Sequence, residues 1–378
     1  MKILITSNYK IGNETGSSHV TDLLSFNLAK NNNVCYICLG DKFKIKKQTK
    51  KLTLIKIPST EINGVTIPLI TPDVAIKTES AITNFSPDVI HTQNSVLISR
   101  LVQIWGNQKN IPVVTTFHHI PTQVVRHLFP QIPKSILTKA VENIYSQTSL
   151  KSFLRNINGV VALNENQKKE IRKVDKKIKI EVINNGLDLS KFKKIKPKNK
   201  LVKIIKFIFM GSYIERKNQE FLVETFKHLP PNYQLDCYGK ISSGKSYYEK
   251  INSNKPKNVN LFDFNKEIPD TLSKYNFFIS ASLKEVQSLA IIYALSAGLP
   301  VIGLENETIT ELIDKTNGLK LRKNISPKKF AQEIVKFIEN SNYKKLSQKA
   351  KKDSEKFDIK KVLPRIEDFY SEVFKLGT

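Results

Sequence analysis

Glu285 follows the apolar run NFFISAS and begins the stretch EVQSLAIIY, in which a helical pattern presents Tyr293. An acid at the carboxyl end of a parallel strand sits where open α/β sheets bind ligands, because the loops there lead into helix N-termini. Position 293 lies eight residues on from Glu285, which is about 12 Å along a helix axis. Carboxylates that work as acid and base on one glycosidic bond stand about 5 to 9.5 Å apart. The longer spacing suits two side chains that hold opposite ends of an extended ligand.

Such a site requires a parallel sheet. In the first half, the β-branched runs KILITSN, VCYICLG, LTLIKIP, DVIHTQ, PVVTTFHH, GVVALN and KIEVINNG alternate with helical segments. That alternation predicts parallel strands with crossover helices, hence a doubly wound α/β sheet. The second half repeats it with KIIKFIFMG, YQLDCYGK, VNLFDF, NFFISAS, PVIGLEN and GLKLR, which predicts a second sheet. Between them KFKKIKPKNK, residues 191–200, is basic, contains proline and lacks apolar periodicity, so it reads as a linker between domains at 1–190 and 201–357. Ser326 and Pro327 are placed to start a helix as N-cap and first helical residue. The segment 358–378 reads as a C-terminal helix expected to pack back on the first domain. The loops after KILITSN, PVVTTFHH, KIIKFIFMG and NFFISAS are then the candidate binding loops, and two facing sheets would leave a cleft.

Composition bounds the partners. The 378-residue chain carries 61 Lys and Arg against 34 Asp and Glu, a formal charge of +27. An AT-rich genome accounts for lysine over arginine but not for lysine over glutamate, so the excess points to an anionic surface, lipid headgroups ahead of nucleic acid. No signal-peptide pattern opens the chain and no window nears the roughly 20 apolar residues of a spanning helix, so a cytoplasmic protein, peripheral on the inner face of the plasma membrane, is expected. Cys35, Cys38 and Cys237 offer no disulfide framework, and the CYIC pair lies in a strand where positions three apart face opposite sides. Buried core cysteines are expected there.

Glu285, position 293, the alanine-rich turn of ALSAGLPVIG and its Gly-x-Pro-Val strand start together resemble the retaining glycosyltransferases of family 4, which have two Rossmann-like domains in the GT-B fold. The family marker has a second glutamate where this chain has Tyr293, and the resemblance extends over nearly the whole chain. It implies that Glu285 grips hydroxyls of a donor sugar and that position 293 meets the nucleotide ribose. A tyrosine offers one hydroxyl and a ring face where a carboxylate accepts from both ribose hydroxyls, so nucleotide identity stays open. The alternative for Tyr293 is a packed helix residue. Glu285-Val286-Gln287-Ser288-Leu289 is closer to the loop of related enzymes that glucosylate diacylglycerol, and it places Gln287, Ser288 and Leu289 at the donor.

Three further segments fit the resemblance. FMGSYIERKNQEFLVETF puts Lys217 where the family pairs a lysine with the donor diphosphate; Ser212 occupies the arginine position, and the adjacent Arg216 is placed to supply that charge. Gly211 ends the strand, and a cation near a helix N-terminus suits phosphate. PVVTTFHHIP puts His118 beside the transferred sugar, with His119 structural or acceptor-facing. Gly16, in the loop before the first helix, takes the place of a family glycine pair near the phosphate; His91, Asn185 and Gly186 mark the fold. With no Asp-x-Asp turn and no His/Cys cluster at metal-ligand spacing, no metal or cofactor is expected, and the donor is expected to be a nucleotide sugar such as a UDP-hexose.

On the acceptor side, residues 133–157 carry an apolar helical stripe at 136, 137, 140, 141, 144, 145, 150, 153, 154 and 157, with Lys134, Lys139, Lys151 and Arg155 among them. This reads as a basic interfacial helix, with HLFPQIP before it adding apolar residues; the alternative is a helix packed on the core with a solvated basic face. The expected function is metal-independent, retaining transfer of a hexose to a membrane lipid such as diacylglycerol. Transfer to a soluble or polysaccharide acceptor and a non-catalytic GT-B partner subunit are the alternatives. Nucleic-acid binding rests on charge alone, since no recognised module accompanies it.

Overall fold

The computed structural model describes residues 1–13, 15–62, 65–95, 97–119, 136–241, 244–264 and 267–377. Contacts divide the chain into two compact units, Met1–Leu187 with Ile359–Thr378, and Asp188–Asp358.

In the first unit β1 (Lys2–Lys10), β2 (Asn33–Gly40), β4 (Leu52–Ile62), β6 (Val89–Thr92), β7 (Val113–Thr116), β8 (Gly159–Ala162) and β9 (Ile180–Val182) are parallel. Two short strands, β3 (Lys44–Lys47) and β5 (Val65–Pro68), run antiparallel to β4. The order among the described residues is β3-β4-β2-β1-β6-β7-β8-β9, with β5 on β4, so the winding direction reverses between β1 and β6. Side chains alternate across β2: Cys35 and Ile37 enter one core, Val34, Tyr36 and Cys38 the other. Burial pushes the thiols of Cys35 and Cys38 up to about 12, which makes both inert core residues.

The C-terminal helix Ile359–Gly377 belongs to this unit and buries Val362, Ile366, Phe369, Tyr370 and Val373 against Ile3, Ile5 and Leu24. Gly186 permits its approach, since a Cβ there would lie 2.4 Å from Ile359 Cδ1.

The second unit is an all-parallel sheet: β10 (Ile205–Met210), β11 (Tyr233–Tyr238), β12 (Val259–Phe262), β13 (Phe277–Ser280), β14 (Val301–Leu304) and β15 (Gly318–Leu321). Its order is β12-β11-β10-β13-β14-β15, so the winding reverses between β10 and β13. Phe207 stacks on Phe277 and Tyr233 and meets Phe226 edge-on, which fastens the sheet to the helix Gln219–Phe226. Ser326 caps the helix Pro327–Asn340 by accepting from Lys329 N.

Residues 191–200 correct the expected linker, because they belong to the second unit, which begins at Asp188 rather than 201. Phe192 is buried there, the Lys351 ammonium donates to its carbonyl at 3.0 Å, Lys198 N donates to Ser347 Oγ at 3.0 Å and the Lys198 ammonium donates to the Tyr275 carbonyl. Lysines in this stretch anchor it as well as solvate it, and one aromatic outweighs its polar composition. The return to the first unit falls at 358/359, one residue after the expected position.

Candidate active site

The reversal between β10 and β13 opens the crevice where a doubly wound sheet binds ligands, beyond the strand carboxyl ends. Residues 211–218 follow β10 and residues 281–288 follow β13, and hydrogen bonds stitch the two loops together. Leu283 N donates to Arg216 O at 2.9 Å, Arg216 NH1 donates to Lys284 O at 2.8 Å and Asn218 Nδ2 donates to Ala281 O at 3.2 Å. Gln219 Nε2 holds the first loop from behind by donating to Gly211 O and Ser212 O at 3.2 and 2.9 Å.

Across this seam the Lys217 ammonium donates directly to Glu285 Oε1, and Arg216 NH1 lies 3.6 Å from Oε2. Glu285 is buried. Burial pushes its carboxyl up, but Lys217 and Arg216 outweigh burial and hold it below the usual range, so it is a carboxylate at neutral pH. A Cβ at Gly211 would lie 3.3 Å from Lys217 Cδ and Cε, so the glycine leaves the lysine stem its path.

A third loop braces the acid. Glu307 Oε2 accepts from Glu285 N at 3.1 Å, Thr308 Oγ1 accepts from Ser288 N at 3.0 Å and Asn306 Nδ2 donates to Ser282 O at 2.9 Å. Asn306 also caps the helix Glu307–Leu312 by accepting from Ile309 N at 2.9 Å. These residues were not singled out from the sequence; the signal was the Asn-Glu pair one residue beyond the run PVIGL, an N-cap followed by a first-turn acid.

Ser288 is the N-cap residue of the helix Leu289–Ser296, with Leu289 its first residue and Gln287 just before it. Tyr293, on this helix, stacks on Phe192 with centroids 5.4 Å apart and planes 11° apart. Burial, then the Asp188 carboxylate, raises its phenol well above the ordinary value, so it is neutral. Ser212 lies on the Lys217 loop and contributes its carbonyl to Gln219.

The first unit has its own reversal. His118 follows β7, and its Nε2 lies 2.8 Å from Oε1 of Gln93, which follows β6. His119 is buried edge-on to Phe117, and Gln167 Nε2 donates to the Phe117 and His119 carbonyls at 2.8 and 2.9 Å. His91 is fully buried between Tyr370 OH at 2.6 Å and Thr116 Oγ1 at 2.7 Å, and burial with the nearby His118 holds its pKa down at about 3. Gly16 is exposed and is the first residue of the helix Gly16–Leu28 rather than part of the loop before it; the positive φ of 76° in that loop belongs to Gly12. Pro133, Lys134 and the HLFPQIP segment lie outside the described residues. Among the described residues no group of three or more His, Cys, Asp or Glu is placed to hold a metal ion, and no helix is long and apolar enough to cross a membrane.

Two doubly wound α/β domains, each with its crevice at a winding reversal, define the GT-B class. Residues 15–191 match the family model described as Glycosyltransferase Family 4, and residues 205–340 match the model described as Glycosyl transferases group 1. The chain is 25% identical over 252 residues to the alpha-monoglucosyldiacylglycerol synthase of Streptococcus pneumoniae, covering 61% of this chain and 55% of that protein. It is 30% identical over 140 residues to the UDP-Gal:alpha-D-GlcNAc-diphosphoundecaprenol alpha-1,3-galactosyltransferase of Escherichia coli, covering 33% of this chain and 36% of that protein. These matches span about half or less of each relative's length. Anabaena HepE, solved in complex with UDP and glucose, superposes with a TM-score of 0.72 at 16% identity over 98% of this chain and 99% of its own. The chain belongs to the family 4 glycosyltransferases.

Proposed function

We propose that this protein transfers a hexose, with retention of anomeric configuration, from a nucleotide-sugar donor to a lipid acceptor at the cytoplasmic face of a membrane. The observation that carries the reading is the Lys217–Glu285–Arg216 cluster at the carboxyl ends of β10 and β13. An ionised, buried carboxylate accepts only, so it suits the hydroxyls of a sugar; two cations beside it suit the charge that builds on a departing diphosphate. Within the cluster these groups satisfy one another. A donor inserts its hydroxyls and phosphates between them, so that Glu285 turns to the sugar while Lys217 and Arg216 take the phosphates. Gln287, Ser288 and Leu289 belong to the same loop and Gly211 and Ser212 to the other, Tyr293 is the candidate for the nucleoside side, and Gly16 is the first unit's candidate for a phosphate contact. His118, whose Nε2 lies 2.8 Å from Gln93 Oε1, is the first unit's candidate for orienting a sugar. The cations carry the counter-charge, so transfer proceeds in the presence of a metal chelator.

The lipid acceptor rests on the two curated relatives, one named for a glucosyldiacylglycerol product and one for a diphosphoundecaprenol substrate. UDP as carrier rests on the second of these and on the UDP and glucose bound by HepE. A thermal-shift screen of UDP- and GDP-sugars, followed by transfer of label to lipid extracts, tests the reading, since a ligand that binds the folded state raises its apparent stability. A UDP-hexose is expected to raise the midpoint and label a lipid. No shift with any sugar nucleotide overturns the donor site; labelling of a soluble glycan alone overturns the lipid acceptor.

A further inference from the structure

We infer that an exposed two-helix face of the first unit, carrying Leu97, Leu101, Ile104, Val141 and Ile144, docks the protein on an anionic lipid surface. The inference rests on the membrane half of the proposed function and names the surface that would perform it.

On the helix Ile98–Gln108, Ile98, Ser99, Val102, Gln103 and Gly106 face the core, while Leu101 and Ile104 stand 50% and 44% exposed at the three-residue spacing of one helical stripe, and Leu97, which precedes the helix, is 40% exposed. On the helix Ile136–Tyr145, Val141 and Ile144 are 43% and 63% exposed, again three apart. The helix Ile136–Tyr145 runs on through the turn Ser146–Leu150 into the helix Lys151–Arg155, and it is this continuation that flanks the helix Ile98–Gln108. Ser95 Oγ lies 3.1 Å from Tyr145 OH, Arg100 sits 5.4 Å from the Phe153 ring and Gln103 Nε2 donates to Asn156 O at 3.1 Å, so residues 95–103 run alongside residues 145–156. Leu97 holds φ at 51°, in the region that favours glycine, yet the chain keeps an exposed leucine there.

Charge identifies the occupant. Residues 95–113 contain no acid, and the single acid of residues 136–158, Glu142, is buried. Lys109 and Arg155 are exposed on the same two segments and Lys151 is half-exposed. Apolar side chains rimmed by cations, with no exposed carboxylate, fit a layer that offers acyl chains below and phosphates above. A second copy of this chain, also at +27, brings like charge and fits poorly.

The test compares the wild-type chain with the triple variant Leu101→Ser, Ile104→Ser, Ile144→Ser in co-sedimentation with phosphatidylglycerol vesicles and with phosphatidylcholine vesicles. The wild type is expected to prefer the anionic vesicles and the variant to lose at least tenfold in partitioning, with an unchanged unfolding midpoint and an unchanged thermal shift by nucleotide sugar. A Leu101→Cys variant labelled with an environment-sensitive dye is expected to report an apolar setting on anionic vesicles. Equal binding by both proteins, or a dye that stays in water while the protein binds, overturns this surface and leaves the membrane reading standing. Binding to neither vesicle by the wild type overturns both, and a substitution that abolishes dimerisation instead assigns the face to a second copy and overturns the inference.

Discussion

Glu285 is the residue on which the proposed transfer turns, and its charge is a property of its neighbours. Buried alone, a carboxylate protonates; beside Lys217 and Arg216 it stays ionised, below the ordinary value of 4.5. Because its pKa is depressed on folding, its contribution to stability is fully present above pH 4.5 and is lost as pH falls through the folded value. Urea unfolding of Glu285→Gln should therefore show a deficit of about 1–3 kcal/mol near pH 7 that narrows below pH 4.5. A deficit that is constant with pH would mean that the carboxylate is not held by these cations. The pairing of residues 217 and 285 was legible because each follows an apolar run closed by a glycine or a small residue, and strand ends of one sheet converge. Asn306 and Glu307, which brace Glu285, and the Phe192 ring under Tyr293 were not, since both supports come from loops and segments that only the fold brings close.

At the scale of elements, the strands of both parallel sheets were legible because buried strands read as continuous β-branched runs. β3 and β5 were not. The KIKK of β3 is exposed throughout and carries lysines, the usual dress of an edge strand, so composition hid its pairing with β4. The C-terminal helix is tied to the sheet by the buried Tyr370–His91–Thr116 chain, in which His91 is neutral with a pKa of about 3 against an ordinary 6.5. The unfolded chain takes up that proton first, so stability is intact above about pH 6.5 and declines below it by up to about 1.4 kcal/mol per pH unit. His91→Gln should flatten the stability profile between pH 6.5 and pH 4 as followed by chemical denaturation. Parallel profiles for the two proteins would show that His91 does not govern the acid limb.

Across the whole molecule, a net charge of +27 sits on two domains whose family fold serves sugar transfer. The charge bears on where the protein works rather than on how it folds, because solvated lysines steer association and are screened by salt beyond about a Debye length. The proposed donor site is the opposite case: a short-range cluster in which every charge has a near partner. Calorimetric titration of UDP and of a UDP-hexose into the wild type, Glu285→Gln and Lys217→Met separates the two roles most directly. Glu285→Gln should bind UDP as the wild type does and lose at least tenfold, about 1.4 kcal/mol, for the sugar-bearing donor. Lys217→Met should weaken both ligands. Wild-type affinity of both variants for both ligands would contradict the account.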